Sequence, residues 1–238
     1  MTPAKPAGPT GPVPASQVEA SPVEPSPVEA ELAPYGPLPD GLGSRGLLSP
    51  DLAAVPPSFP AMIDALRLLE NRITGSAPGE ELAAEVSRTL TDLAIQLGAH
   101  AVDEESQIAG RVDLPGRAQV LVPVVHLEEQ DEQHAVGRVT FGRLHLGRNG
   151  AVHGGAIPLV FDEVMGRLSN TGGRVPARTA YLHVNYRTIT PIERELQVTA
   201  RFDREEGRKR FLSGELRDAG TLCADAEGLF VALRPGQP

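Results

Sequence analysis

The stretch Val152-His153-Gly154-Gly155-Ala156-Ile157-Pro158-Leu159-Val160-Phe161-Asp162-Glu163-Val164-Met165-Gly166 constrains this chain more than any other. Two adjacent glycines open a run in which Ile157, Leu159, Val160, Phe161, Val164, Met165 and Leu168 leave no wide polar stripe at a period of 3.6. A helix without a polar face is normally buried. Yet Asp162 and Glu163 stand in its middle, and carboxylates are seldom buried unless they are paired or employed. A buried helix that carries acids and begins at bare backbone N–H groups has the parts of a catalytic site.

The segments around it read as strands and two amphipathic helices. Met62, Leu66, Leu69 and Ile73 form a helical stripe with Ser58 and Pro60 as start signals. A second helix is predicted from near Pro78 to Leu97, with Leu82, Val86, Leu90, Leu93 and Leu97 on one side. Both are expected to cover a sheet or to pack on one another. Val120–Val125 reads as a strand that Pro123 marks as an edge, and His134–Phe141 as the next. The acidic run Glu128, Glu129, Asp131 and Glu132 between them reads as a solvated turn. After the central helix come segments around 179–186, 196–202, 211–217 and 222–233, with turns at Glu206-Gly207 and Ala219-Gly220. The order predicts an α+β fold, a meander of antiparallel strands wrapped round one helix. Its open edges could be managed by pairing with a second copy.

Composition bounds the rest. Of the 23 prolines, 15 lie in the first 60 residues, and residues 1–48, rich in Pro, Ala and Glu, read as a disordered tail. Residues 49–105 are expected to form a helical extension and 106–238 the sheet-and-helix domain. The net charge of −9 and pI near 5.2 argue against nucleic-acid or anionic-membrane binding. The lone Cys223 reads as a small buried hydrophobe and fits a reducing compartment. No window approaches the roughly 18 apolar residues of a membrane span. The first 30 residues resemble neither a secretion signal nor a transit peptide, so a cytoplasmic location is expected.

The pattern Gly150-Ala151-Val152-His153-Gly154-Gly155-Ala156, with Asp162 nine residues after the histidine, resembles the hotdog-fold acyl-CoA thioesterases of the phenylacetate-pathway type. Thr179-Ala180-Tyr181-Leu182-His183-Val184-Asn185-Tyr186 and the turn Glu206-Gly207-Arg208-Lys209 look like the branch containing human thioesterase superfamily member 4. The resemblance covers roughly residues 115–235. It implies hydrolysis of an acyl-CoA to a free acid and coenzyme A, with no cofactor beyond the coenzyme A of the substrate itself. It also implies a homodimer, or a dimer of dimers, whose sites take the glycine turn from one chain and the acid and hydroxyl from the other.

Thioester hydrolysis needs an attacking water or carboxylate and donors for the developing oxyanion. A helix N-terminus presents unpaired N–H groups, and glycine lets a substrate approach them. Gly154 and Gly155 are therefore oxyanion-hole candidates, and the resemblance puts Gly154, the first glycine after the histidine, foremost. The resemblance makes Asp162 the general base or nucleophile, with Glu163, about 100° round the helix, as the fallback. It gives the Thr179 hydroxyl the task of holding the water or the carboxylate. His153 either fixes the turn by hydrogen bonding or takes part in acid–base chemistry. Arg208, Lys209 and Arg210 form either a solvated turn or a contact for coenzyme A phosphates, with Arg178 and Arg174 as further candidates. The family's upstream asparagine position falls on Gly147, and Asn149 stands elsewhere. The histidines show no spacing typical of a zinc site, so no metal is expected. Two rival functions remain: a non-catalytic acyl-CoA or lipid-binding module, and a hotdog hydratase, for which no histidine follows Asp162 in the helix.

Overall fold

Gly155 ends the turn and the apolar run becomes a helix over Ala156–Ser169, whose residues Ile157, Val160, Phe161, Val164, Met165 and Leu168 are all buried. A computed structural model describes residues 55–110 and 115–237, so the tail expected over 1–48 lies outside the described residues. The helices are α1 (Phe59–Thr74), α2 (Glu80–Gly98) and α3 (Ala156–Ser169). The strands are β1 (Val125–Gln130), β2 (His134–Thr140), β3 (Ala177–Tyr186), β4 (Glu195–Glu206), β5 (Lys209–Asp218) and β6 (Thr221–Ala232).

The six strands make one antiparallel sheet in the order β1-β2-β4-β5-β6-β3, with α3 against one face. Strand alternation supplies that face: Leu196, Val198, Ala200 and Phe202 on β4, Leu212 and Leu216 on β5, Ala224, Ala226 and Phe230 on β6. Each large side chain buried there contributes about 1.5–3 kcal/mol. Gly214 of β5 leaves room for the helix; a Cβ there would stand 2.9 Å from Thr199 O and 3.1 Å from the Phe161 ring. Cys223 is buried in β6, as a small apolar residue would be.

Three expectations need correction. The last four strands are not a plain meander, because β3 crosses to the far side of β6 and becomes an edge. The first strand starts at Val125 rather than Val120 and runs on through Glu128 and Glu129. An edge strand tolerates those acids because its outer flank is wet, and Pro123 lacks the N–H a ladder needs. Of the acidic run, Asp131 and Glu132 lie in the tight turn, where Asp131 accepts from Gln133 N and His134 N.

The third correction concerns α1 and α2. Both helices form where their stripes predict, yet the stripes are not covered. Ile63 is the one buried residue of α1, α2 has none, and Leu82 and Leu97 remain 53% and 57% exposed. The sheet's apolar face is already filled by α3, so no second layer is available to them. α1 is held by a small apolar cluster of Ile63 and Phe59 with Ala118 and Val120, and by polar ties: Asn71 Oδ1 accepts from Leu144 N, and Arg67 donates to Gln119 O. Between α1, α2 and the end of β2 lies an open cleft of about 1220 Å³. Within the described residues no helix is long and apolar enough to cross a membrane.

Gly214→Ala is expected to lower stability by about 1–3 kcal/mol through overpacking against Phe161, measured by thermal or denaturant unfolding. A second expectation concerns His145, in the single turn Arg143–His145, whose ring meets Phe141 edge-on and whose two nitrogens have no hydrogen-bond partner. Burial lowers its pKa from the ordinary 6.5. The unfolded chain then binds that proton more readily, so stability is full above about pH 6.5 and declines as pH falls through and below that value. Unfolding curves at pH 7 and 5 should show this loss in the wild type and a smaller one in His145→Phe.

Candidate active site

The glycine turn is anchored before it begins. Val152 N donates to Thr190 O, His153 N to His145 O, and Gly147 N to Ala151 O, all within 2.8 Å. From there the chain has little freedom. Ala156 N donates to His153 O at 2.9 Å, and Gly155 N donates to Nδ1 of His153 at 3.0 Å. Because Nδ1 accepts, the ring proton is assigned to Nε2. His153 thus has the geometry of a residue that fixes the turn. This corrects the pairing of Gly154 with Gly155 as donors, since the Gly155 N–H is already spent on the imidazole. Gly154 N–H has no acceptor among the described residues. Its carbonyl accepts from the Tyr186 hydroxyl at 2.7 Å.

The two acids on α3 have different fates. Glu163, 12% exposed, pairs with Arg167 at 2.6 Å and with Arg117 at 3.6 Å. Those pairs hold it as a structural acid and remove the case for it as fallback. Asp162 forms no ion pair among the described residues and accepts from Thr179 Oγ1 at 2.7 Å. Its side chain is exposed in the single chain, so the expected burial of both acids does not hold. The sheet covers one flank of α3, and Asp162 stands on the flank left open beside the edge strand β3. The cleft between α1 and α2 is lined by neither acid nor glycine turn.

Thr179 reaches Asp162 through a β-bulge. Leu182 and Val184 face inward opposite Gly228 and Ala226, so plain alternation would turn Ala180 inward and Thr179 out. The register jumps instead from Thr179↔Phe230 to Tyr181↔Leu229, leaving Ala180 as the extra residue. The bulge re-aims the threonine onto the helix side. No signal in the sequence marks it.

The basic residues divide. Arg210 is 3% exposed, pairs with Glu205 at 3.0 Å and donates to Ser169 O and Val175 O. It closes the carbonyl end of α3, a favourable place for a cation, and is unavailable to a phosphate. Its parity with Leu212 turns it inward. Arg208 donates to Ala232 O, and Arg174 lies 4.2 Å from the centre of the Phe202 ring while bonding Thr171 O. Arg178 and Lys209 remain exposed without ion pairs among the described residues, each registered opposite Val231 on the outer face. Among the described residues no cluster of three or more His, Cys, Asp or Glu is placed to hold a metal ion. Asn149 sits at φ 53° in the turn before the histidine.

Known proteins resemble this chain in sequence and fold. Residues 149–224 match the family model of the Thioesterase superfamily. Over 113 residues the chain is 36% identical to acyl-coenzyme A thioesterase THEM4 of Bos taurus, covering 47% of this chain and 46% of that protein. The Mus musculus protein of the same name is 37% identical over 100 residues, covering 41% and 43%. The chain therefore spans less than half the length of the curated relatives it matches. A thioesterase superfamily protein of known crystal structure is 29% identical, with a TM-score of 0.64, over 78% of this chain and 98% of its own. Over residues 149–224 the chain is thus similar to the thioesterase superfamily, on the hotdog fold.

Proposed function

We propose that the protein hydrolyses an acyl-CoA thioester to a free carboxylic acid and coenzyme A. The observation that carries this reading is the Thr179–Asp162 hydrogen bond, which presents an unpaired carboxylate with one oxygen fixed and the other open. The acyl-CoA thioesterase activity in the names of the bovine and mouse relatives supports acyl-CoA as the substrate class. No separate cofactor is needed, because coenzyme A belongs to the substrate.

In this reading Asp162 takes a proton from water as the water oxygen attacks the thioester carbonyl, or attacks that carbon itself to give a mixed anhydride that water then hydrolyses to the free acid. Gly154 N–H, at the positive end of α3, stabilises the oxyanion, a service worth about 3 kcal/mol per donor. Collapse of the intermediate breaks the C–S bond, and in the base route the proton on Asp162 passes to the leaving sulfur. Thr179 orients the carboxylate. Arg178 and Lys209 are the cations left to meet coenzyme A phosphates, with Arg208 and Arg210 occupied elsewhere.

One chain does not complete such a site. Asp162 lies about 9 Å along the axis from the start of α3, at 1.5 Å per residue. A donor and a nucleophile that serve one carbonyl must each come within about 3 Å of it. The reading therefore places Gly154 of one copy opposite Asp162 and Thr179 of its partner in a homodimer. The ten-residue β3, paired on one side only to β6, offers the unpaired edge for that pairing.

Free-thiol release from a panel of acyl-CoAs tests the activity. Asp162→Asn should lower kcat by about 100-fold or more, and equal activity of the two proteins would sink the assignment. Tight acyl-CoA binding with no thiol released by the wild type would favour the binding-module alternative. The shared site has its own test in co-expressed, differently tagged Asp162→Asn and Gly154→Pro chains. Random pairing leaves one intact site in each mixed dimer, so activity should return to about a quarter of wild type. Activity no greater than that of the two separate variants would rule out a site built from two chains.

A further inference from the structure

The two ends of β3 touch two separate parts of the proposed chemistry. Thr179, near its start, holds Asp162, and Tyr186, its last residue, donates its hydroxyl to Gly154 O at 2.7 Å. The Gly154 carbonyl and the Gly155 N–H belong to one planar peptide unit. That plane is gripped on both edges: Tyr186 binds its oxygen, and His153 Nδ1 accepts from its N–H at 3.0 Å. The preceding peptide is held by its own carbonyl, since His153 O accepts from Ala156 N. What these bonds leave over is a single N–H, that of Gly154. Glycine turns freely about φ and ψ, so two consecutive glycines would let the 154–155 plane swing unless something outside the turn fixes it.

We infer that Tyr186 is a positioning residue for the glycine turn: the Gly154 N–H lies in the 153–154 peptide, which its single hydrogen bond leaves free to pivot, and the tyrosine hydroxyl, by fixing the adjoining 154–155 peptide, keeps that N–H aimed as the donor to a substrate oxygen. The inference rests on the hydrolase reading above for its consequence in rate, but not for its consequence in structure. The tyrosine is not there to fill a core. Its side chain is exposed, and a Cβ on Gly154 would meet only its outer ring atoms, at 3.7–3.9 Å. Removing the hydroxyl therefore leaves no buried polar group unsatisfied, and stability has little reason to change. The bond acts on orientation. A donor a few tenths of an ångström or some tens of degrees out of line loses much of its value to an oxyanion while still admitting the substrate.

Tyr186→Phe keeps the ring and deletes the bond. With the full-length protein, kcat for thiol release should fall about tenfold, with KM within about twofold of wild type and the melting temperature unchanged. Amide hydrogen exchange at Gly155 should be about tenfold faster, because the peptide it belongs to is no longer held. Unchanged kcat in an active enzyme overturns the inference. So does a loss of rate accompanied by a lowered melting temperature, which would make Tyr186 a structural residue. If the wild type releases no thiol, the hydrolase reading fails by itself, and Gly155 exchange decides alone: unchanged protection overturns the positioning role and faster exchange upholds it.

Discussion

Contact between α3 and the sheet governs everything else in this protein. The helix is apolar on almost all sides, and the inner faces of β4, β5 and β6 take up its large side chains, with Gly214 admitting Phe161. That packing fixes the rotation of the helix about its axis. Once Val160, Phe161 and Val164 point into the sheet, Asp162 has one direction left, the flank beside β3. The same packing sets where α3 starts, and so where the glycine turn exposes its backbone. Burial, the least directional force in the fold, thus determines the direction of the groups that do chemistry.

Electrostatics then separates groups that look alike. Asp162 and Glu163 are neighbours on one helix, yet Glu163 is neutralised by two arginines and Asp162 is met only by a hydroxyl. A carboxylate whose oxygens are both taken by guanidinium groups has none to offer a water, whereas one held by a single hydroxyl keeps an oxygen free. Arg208, Lys209 and Arg210 divide in the same manner. One binds a carbonyl at the end of β6, one stands in solvent, and one is spent on the last turn of α3.

Much of this was legible in the residues. The apolar run with its two glycines located α3, and period-two alternation in β4, β5 and β6 showed which residues line the core. The inward turn of Arg210 was legible too, from its parity with Leu212, had the basic run not drawn it toward a ligand role. Other features leave no local trace. The bulge at Ala180 arises from how β3 registers on β6, and the position of β3 outside β6 is decided by the crossover that follows α3. Both are relations between distant segments. The bare stripes of α1 and α2 teach a related lesson: periodicity predicts that a helix will form and which side is apolar, while what covers that side depends on the surfaces left over.

The extra residue in β3 has one more implication. Strand register and side-chain facing are coupled there in a way that composition does not reveal. Smoothing the bulge at constant length, so that Ala180 took its own place in the ladder, would swing the threonine oxygen to the opposite side of the sheet and strip the aspartate of its companion. The ladder to β6 and the hydrophobic interior would hardly notice. A one-place slip of residues 177–179 on β6 would thus leave a well-folded chain whose threonine no longer meets the aspartate.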